Sequence, residues 1–285
     1  LMKKILIANP MAIIADTAFN NPIIELSSAE AWLGIIAYSL QIYFDFSGYS
    51  DMAIGLGRML GFDFLENFNY PYMSKSIQEF WRIWHISLSS WFRDYVFIPL
   101  GGSRGSSFEV IRNIGFVFLL TGIWHGANWT FLFWGAYHGV FVLIEKLGWA
   151  RILAKLPKFI QHLYLCFVVM IGWVFFRVDF IHQGFEYIAV MFNSGNSTSV
   201  TYMVISKMSS HINTIFIVGI IFCTPIRKRL FVKLLTFLTN SLNLEFSKTR
   251  ILFTLLNNIF IAAAIYLCAM ELASSTYNPF IYFRF

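Results

Sequence analysis

Apolar runs with few charges recur along this chain, at about residues 32–56, 113–124, 127–145, 163–178, 212–225 and 251–271, each bounded by charge, Pro or Asn. No other feature limits the fold as strongly. In hydrocarbon the backbone has to satisfy its own N–H and C=O groups, so runs of this length are expected to be helices. Composition agrees, because only 13% of residues are charged, about half the share of an ordinary soluble domain. Trp and Tyr are numerous enough to anchor several spans at the headgroup level. The expected fold is an all-α, polytopic membrane helical bundle with interfacial amphipathic helices.

The net charge of +6 sits in short clusters beside apolar runs, such as Lys3 with Lys4 and Arg227, Lys228 and Arg229. That pattern orients a membrane protein and points away from nucleic acid. Basic residues gather at Lys75, Arg82, Arg93, Arg104 and Arg112, at Lys146, Arg151, Lys155 and Lys158, and from Arg227 to Arg250. The positive-inside rule makes those three segments cytoplasmic. NSGNSTS at 193–199 and the C-terminal STYNPFIYFRF then fall outside. Cys166, Cys223 and Cys268 lie singly in apolar runs, without a C-x-x-C pair, so neither a disulfide framework nor a zinc site is expected. The chain opens on Leu1 with no charged n-region or cleavage site, so no signal peptide is expected, and further chain is expected upstream.

GIWHGANWTF, residues 122–131, sets His125 between two tryptophans and two glycines inside an apolar run. Residues 113–124 would reach only about 18 Å of a roughly 30 Å core at 1.5 Å each, so a helix there is expected to stop part-way. Gly122 and Gly126 let the chain turn, which places His125 near mid-membrane, at a depth where irregular backbone must line a cavity or be buried in protein. One bent helix from 113 to 145 would leave His125 in its interior instead. An isolated buried His is ordinarily a hydrogen-bonded core residue, but polar groups inside the bilayer default to function. A neutral imidazole can take a proton from a hydroxyl as general base and return it to a leaving group. Attack of that hydroxyl on an ester or thioester needs little more than this base, a polarised carbonyl and exclusion of water.

Residues 76–98 carry Ile77, Trp81, Trp84, Leu88, Trp91 and Tyr95 at alternating spacings of four and three, with Glu79, Arg82, Ser89 and Arg93 opposite. This reads as one amphipathic helix at the cytoplasmic interface, with His85 on the border of its aromatic face. No two of the six histidines stand three or four residues apart, so a metal site is disfavoured. His125 and His138, thirteen residues apart, would face different ways on one helix. Asp45 and Asp51, with Arg58 on nearly the same helical face as Asp51, read first as a buried network holding helices together and alternatively as a tunnel lining. Gly135 and Gly139 form a G-x-x-x-G helix contact in which His138 is expected to be hydrogen-bonded.

The stretches IYFDFSGYSDMAIGLGRMLGFDFLENFNYPY, SIQEFWRIWHISLSSWFRDYVFIPLGG and TGIWHGANWTFLFWGAYHG resemble the membrane-bound O-acyltransferase (MBOAT) family, most closely its bacterial alginate O-acetylation branch. The resemblance runs from about residue 1 to 150, with its core motifs at 36–145, and returns at GWVFFRV and NPFIYFRF. It implies one MBOAT catalytic domain over 1–285 that lacks the family's further N-terminal spans. It implies a multi-pass protein of the bacterial inner membrane, an acyl donor that is acetyl-coenzyme A, and a membrane-embedded tunnel. The acyl group would pass to an extracytoplasmic polysaccharide or a periplasmic acetyl-relay protein. His125 matches the family's membrane histidine and His85 its partner, while Asp51, Arg58, Trp124 and Asn128 are candidates for shaping the tunnel. Membrane lipid is the expected surrounding, and no bound cofactor or metal is expected. Transfer to peptidoglycan, D-alanyl transfer to teichoic acid, and a transporter with an intramembrane polar pathway are the alternatives.

Overall fold

A computed structural model describes residues 1–193, 202–226, 232–233, 236 and 246–274. The 194–199 stretch, the Arg227–Arg229 cluster and the C-terminal eleven residues lie outside the described residues, so the sidedness expected for them has no counterpart here. The described residues are helical throughout, with no strand and one isolated antiparallel bridge, Phe68 to Trp84.

The helices are α1 (Asn9–Asn20), α2 (Ser28–Met59), α3 (Ile77–Ile83), α4 (Ile86–Phe92), α5 (Ser107–His125), α6 (Trp129–Ile144), α7 (Ala150–Leu153), α8 (Lys158–Arg177), α9 (Ile181–Phe192), α10 (Met203–Ser206), α11 (Ser210–Phe222) and α12 (Phe246–Ser274). A helix stands at each of the six expected runs, as α2, α5, α6, α8, α11 and α12, with starts up to six residues earlier than expected. Among the described residues, three helices are long and apolar enough to cross a membrane by length and composition: α5, α8 and residues Thr254–Ser274 of α12.

The expectation for α5 needs correction. Ser106 and Glu109 form a reciprocal capping box that starts the helix six residues earlier than expected. Nineteen residues reach about 28 Å, so α5 can cross without stopping half-way. Measured from Arg112, its last charge, His125 lies about 20 Å along the helix, two-thirds of a roughly 30 Å core. The turn at Gly126 is present, with φ +153, and α6 begins three residues later. This excludes the bent 113–145 helix.

α5 and α6 form a close hairpin. A Cβ at Gly122 would stand 2.5 Å from the Phe131 carbonyl oxygen, and one at Gly135 would overlap the carbonyl of Phe118. The G-x-x-x-G pair is therefore the helix contact expected of it. The His138 expectation fails, because its imidazole is fully buried with no hydrogen-bond partner on either nitrogen.

α1 was not among the expected spans. Lys3 and Lys4 stand just before it and Asn9 and Asp16 interrupt its apolar pattern, but Lys4 is buried against Asp45 of α2, Nζ to Oδ1 2.9 Å. Asp16 pairs with Arg177 at the far end of α8, 2.8 Å. These pairs fix two sides of the bundle. Lys3, Asp51, Ser103, Lys146 and Lys158 share the basic side; Asn20, Ser28, Asp179 and Met191 share the other. The core between them is aromatic, centred on Trp84, Trp134, Trp173 and Phe80.

Candidate functional site

The expected 76–98 helix is broken at His85, whose backbone is left-handed, φ 46. The break has its own partners. Residues 67–69 run beside it, so that Ile86 N–H donates to the Asn67 carbonyl, Asn69 N–H to the Ile83 carbonyl, and Ser87 N–H and hydroxyl to Asn67 Oδ1. Local periodicity carries no trace of this, since the aromatic stripe keeps its spacing across the break. The consequence is that His85 leaves the helix surface and packs on Phe46 of α2, ring centroids 4.6 Å, and on Trp124, 6.0 Å. Burial pushes its pKa down to about 4, so the imidazole is neutral at working pH.

His125 ends α5. Its ring lies 4.9 Å from Trp124, 5.0 Å from Trp134 and 5.1 Å from Phe176. The indole of Trp124 thus touches both histidines while half of it stays exposed. Asn128 caps α6 through Thr130 N–H and donates to the Asp179 carbonyl, 3.2 Å, which ties the turn after His125 to the end of α8.

A cavity of about 460 Å³ reaches both histidines. Ile114, Val117, Phe118, Thr121 and His125 line it from one face of α5; Trp81, Trp84, His85 and Leu88 line it from α3 and α4. Ser103 and Lys146, hydrogen-bonded to each other before the start of α5 and after the end of α6, line it away from His125, and Arg82 and Arg93 line it too, the latter paired with Asp94 at 2.7 Å. The site is therefore a mainly apolar slot lined by three cations and two imidazoles, with Lys146 and His125 at opposite ends of the α5–α6 hairpin. A long chain carrying an anionic head and a reactive acyl tip fits that division.

Neither Asp51 nor Arg58 lines this cavity. Asp51 pairs with Lys3, 2.7 Å, and Arg58 lies 4.0 Å from both Asp63 and Glu66 on an exposed end of α2. Their shared helical face was real, but their partners come from other segments. Trp124 does not line the cavity but packs on both histidines, and Asn128 acts on the turn.

Sequence reasoning missed the cationic lining, because Arg82 and Arg93 read as the wet side of an amphipathic helix and Lys146 as a topology signal. It also missed Glu145. That carboxylate is buried at the end of α6 and accepts from Ile77 N–H, 2.7 Å, and Gln78 N–H, 2.9 Å, so it caps α3 from another element. Burial raises its pKa, against the pull of those two N–H groups. The helix pair that carries His85 is thereby pinned to the hairpin that carries His125.

The sequence model of the membrane-bound O-acyltransferase family, MBOAT, matches residues 1–176. The chain belongs to this family. Among its curated relatives is the probable alginate O-acetylase AlgI of Azotobacter vinelandii, 52% identical over 200 residues, which are 69% of this chain and 39% of that protein. The Pseudomonas putida protein of the same name is 38% identical over 299 aligned residues, covering 100% of this chain and 59% of its own length. A peptidoglycan O-acetyltransferase of Helicobacter pylori is 43% identical over 181 residues, 62% of this chain and 34% of that protein. The MBOAT chain thus spans less than two-thirds of the length of these relatives.

Proposed function

We propose that this MBOAT chain is the C-terminal catalytic part of an O-acetyltransferase, multi-pass in a bacterial inner membrane. It moves an acetyl group from a cytoplasmic donor towards an extracytoplasmic, alginate-like polysaccharide, directly or through a periplasmic relay protein. The observation that carries this reading is the cavity itself, which is lined by Arg82, Arg93 and Lys146 and also reaches His85 and His125. The relatives named alginate O-acetylase support the acceptor class.

Eleven residues of α5 separate Ile114 from His125, about 16 Å of slot. That suits an extended acyl-pantetheine arm, with the phosphates of acetyl-coenzyme A held by Arg82, Arg93 and Lys146. His125 takes the proton of the acceptor hydroxyl as its oxygen attacks the thioester carbonyl carbon. The tetrahedral intermediate collapses with cleavage of the C–S bond, and the departing thiolate takes the proton back from the imidazolium. His85, neutral and packed against Trp124, orients the thioester. The half-exposed indole of Trp124, packed on both histidines, marks where the acceptor arrives, and Asn128 holds that turn in place.

The test is ester-linked acetate on extracellular polysaccharide of a strain lacking the gene, complemented with the unmodified gene, His125→Ala or His125→Gln at matched membrane abundance. Loss of a general base costs about 10²- to 10⁴-fold in rate. Acetate restored by His125→Gln at the original rate refutes the assignment. A second reading, acetyl transfer to peptidoglycan by the same site, is favoured by the Helicobacter pylori relative and is decided by measuring acetate on purified peptidoglycan in the same strains.

A further inference from the structure

One fully buried imidazole has no part in the reaction proposed above. His138 on α6 is 0% exposed, and both its nitrogens lack a hydrogen-bond partner. The indole nitrogens of Trp81 and Trp134 lack one too. These three rings form a closed triangle, Trp81 to His138 at 5.0 Å, Trp134 to His138 at 5.2 Å and Trp81 to Trp134 at 5.5 Å, each pair edge to face. Unpaired buried polar groups are costly, so three at one point need a physical reason. A phenylalanine at 138 would fill a similar space with no polar atom to satisfy.

The inventory of donors and acceptors supplies that reason. An indole offers only an N–H, and a neutral imidazole offers one acceptor nitrogen and one N–H. One acceptor faces two donors and can serve only one at a time. On the remaining side, Gly172 of α8 sits directly against His138 Nε2, where any Cβ would overlap it, so α8 holds the ring against the two indoles. The two indoles lie at different ends of the site. Trp81 lines the cavity, whereas Trp134 packs edge to face, at 90°, against His125.

We propose that His138 is a positioning residue whose single acceptor nitrogen is shared between Trp81 and Trp134, so that cavity wall and His125 packing take alternate hydrogen bonds. Displacement of Trp81 by a chain entering the cavity frees the acceptor for Trp134, and Trp134 carries the change to His125. The triangle is a two-state element that both ends of the site bias.

The test reads the indole N–H of Trp134 in the detergent-solubilised full chain labelled with 15N-tryptophan, the resonance being assigned by its loss in Trp134→Phe. Trp81→Phe removes the competing donor and is expected to move the Trp134 N–H downfield. The same substitution in a His138→Phe background is expected to leave it unmoved, and in a His138→Gln background, which keeps an acceptor, to move it again. A Trp134 resonance indifferent to Trp81→Phe, or moved equally in the His138→Phe background, overturns the proposal. A second arm rests on the acetyl-transfer reading: His138→Phe should lower kcat about tenfold with donor KM within about twofold, partly restored by His138→Gln, and thermal stability should not fall. Equal losses of stability and rate in both variants reduce His138 to packing and overturn the proposal. Absence of acetyl transfer by the unmodified protein sinks the functional reading instead, and the resonance arm still decides the triangle.

Discussion

Gly122→Ala is the sharpest perturbation of the site that leaves every site residue in place. A Cβ there would stand 2.5 Å from the Phe131 carbonyl oxygen and 3.1 Å from Leu132 Cα. Ordinary contact begins near 3.4 Å, so the two helices must part by about 0.9 Å, and backbone cannot swing aside as a side chain can. Overpacking of this kind costs about 1–3 kcal/mol, offset by about 1 kcal/mol because alanine is the better helix former, leaving a net loss of about 0–2 kcal/mol. The rate should suffer more. Gly122 is one turn from His125, and a misplacement of about 1 Å can cost about 10²-fold in a catalytic step. Initial rates of acetyl transfer in membrane vesicles at matched abundance, beside thermal unfolding followed by tryptophan fluorescence, separate the two effects. Gly115→Ala, on the same helix with nothing within 4 Å, is the control and should keep the rate while gaining up to about 1 kcal/mol of stability. If Gly122→Ala transferred acetate at the control rate, helix spacing would not set the position of His125, and the argument from the hairpin would be wrong.

Other substitutions test separate links. Lys4→Met alone should destabilise the fold by about 3–5 kcal/mol, since it leaves Asp45 buried without its cation, and Lys4→Met with Asp45→Leu should recover most of that in thermal unfolding. Glu145→Gln, which can no longer accept from both Ile77 and Gln78 N–H, should cost about 1–3 kcal/mol and raise the donor KM by loosening α3. His85 has a folded pKa of about 4, below its unfolded value of 6.5, so the unfolded chain binds more protons between those limits. Stability should therefore be fully present above pH 6.5 and decline as pH falls towards 4, and His85→Gln should flatten that part of the unfolding profile against pH.

The spans were legible because hydrocarbon imposes a length and an apolar composition that survive in any order of side chains. What escaped the sequence depends on partners far along the chain. α1 was hidden because Lys4 looks like an interfacial charge until Asp45 is beside it, 41 positions later. The break at His85 was hidden because residues 67–69, not the local pattern, satisfy its backbone. His125 was legible from its glycine and tryptophan neighbours, which mark a turn in an apolar run. Asp51 and Arg58 were misplaced by an argument true of their helix and silent about Lys3, Asp63 and Glu66. For His138 and His125 the expected angular separation assumed one continuous helix. The turn at Gly126 instead folds both against Trp134.

The Lys4–Asp45 pair also dictates how the protein is made. Each of these residues, presented alone to the translocon, carries a penalty of about 2.5–3.5 kcal/mol at the centre of a helix. Released into lipid one at a time, the segment of Lys4 that leads into α1 and the helix α2 would each bear that penalty unshared. Entering together as a hairpin, they bring the ammonium and the carboxylate in as a neutral couple, 2.9 Å apart. Separating the two residues should therefore lower membrane insertion of both segments, and Lys4→Met with Asp45→Leu should restore it.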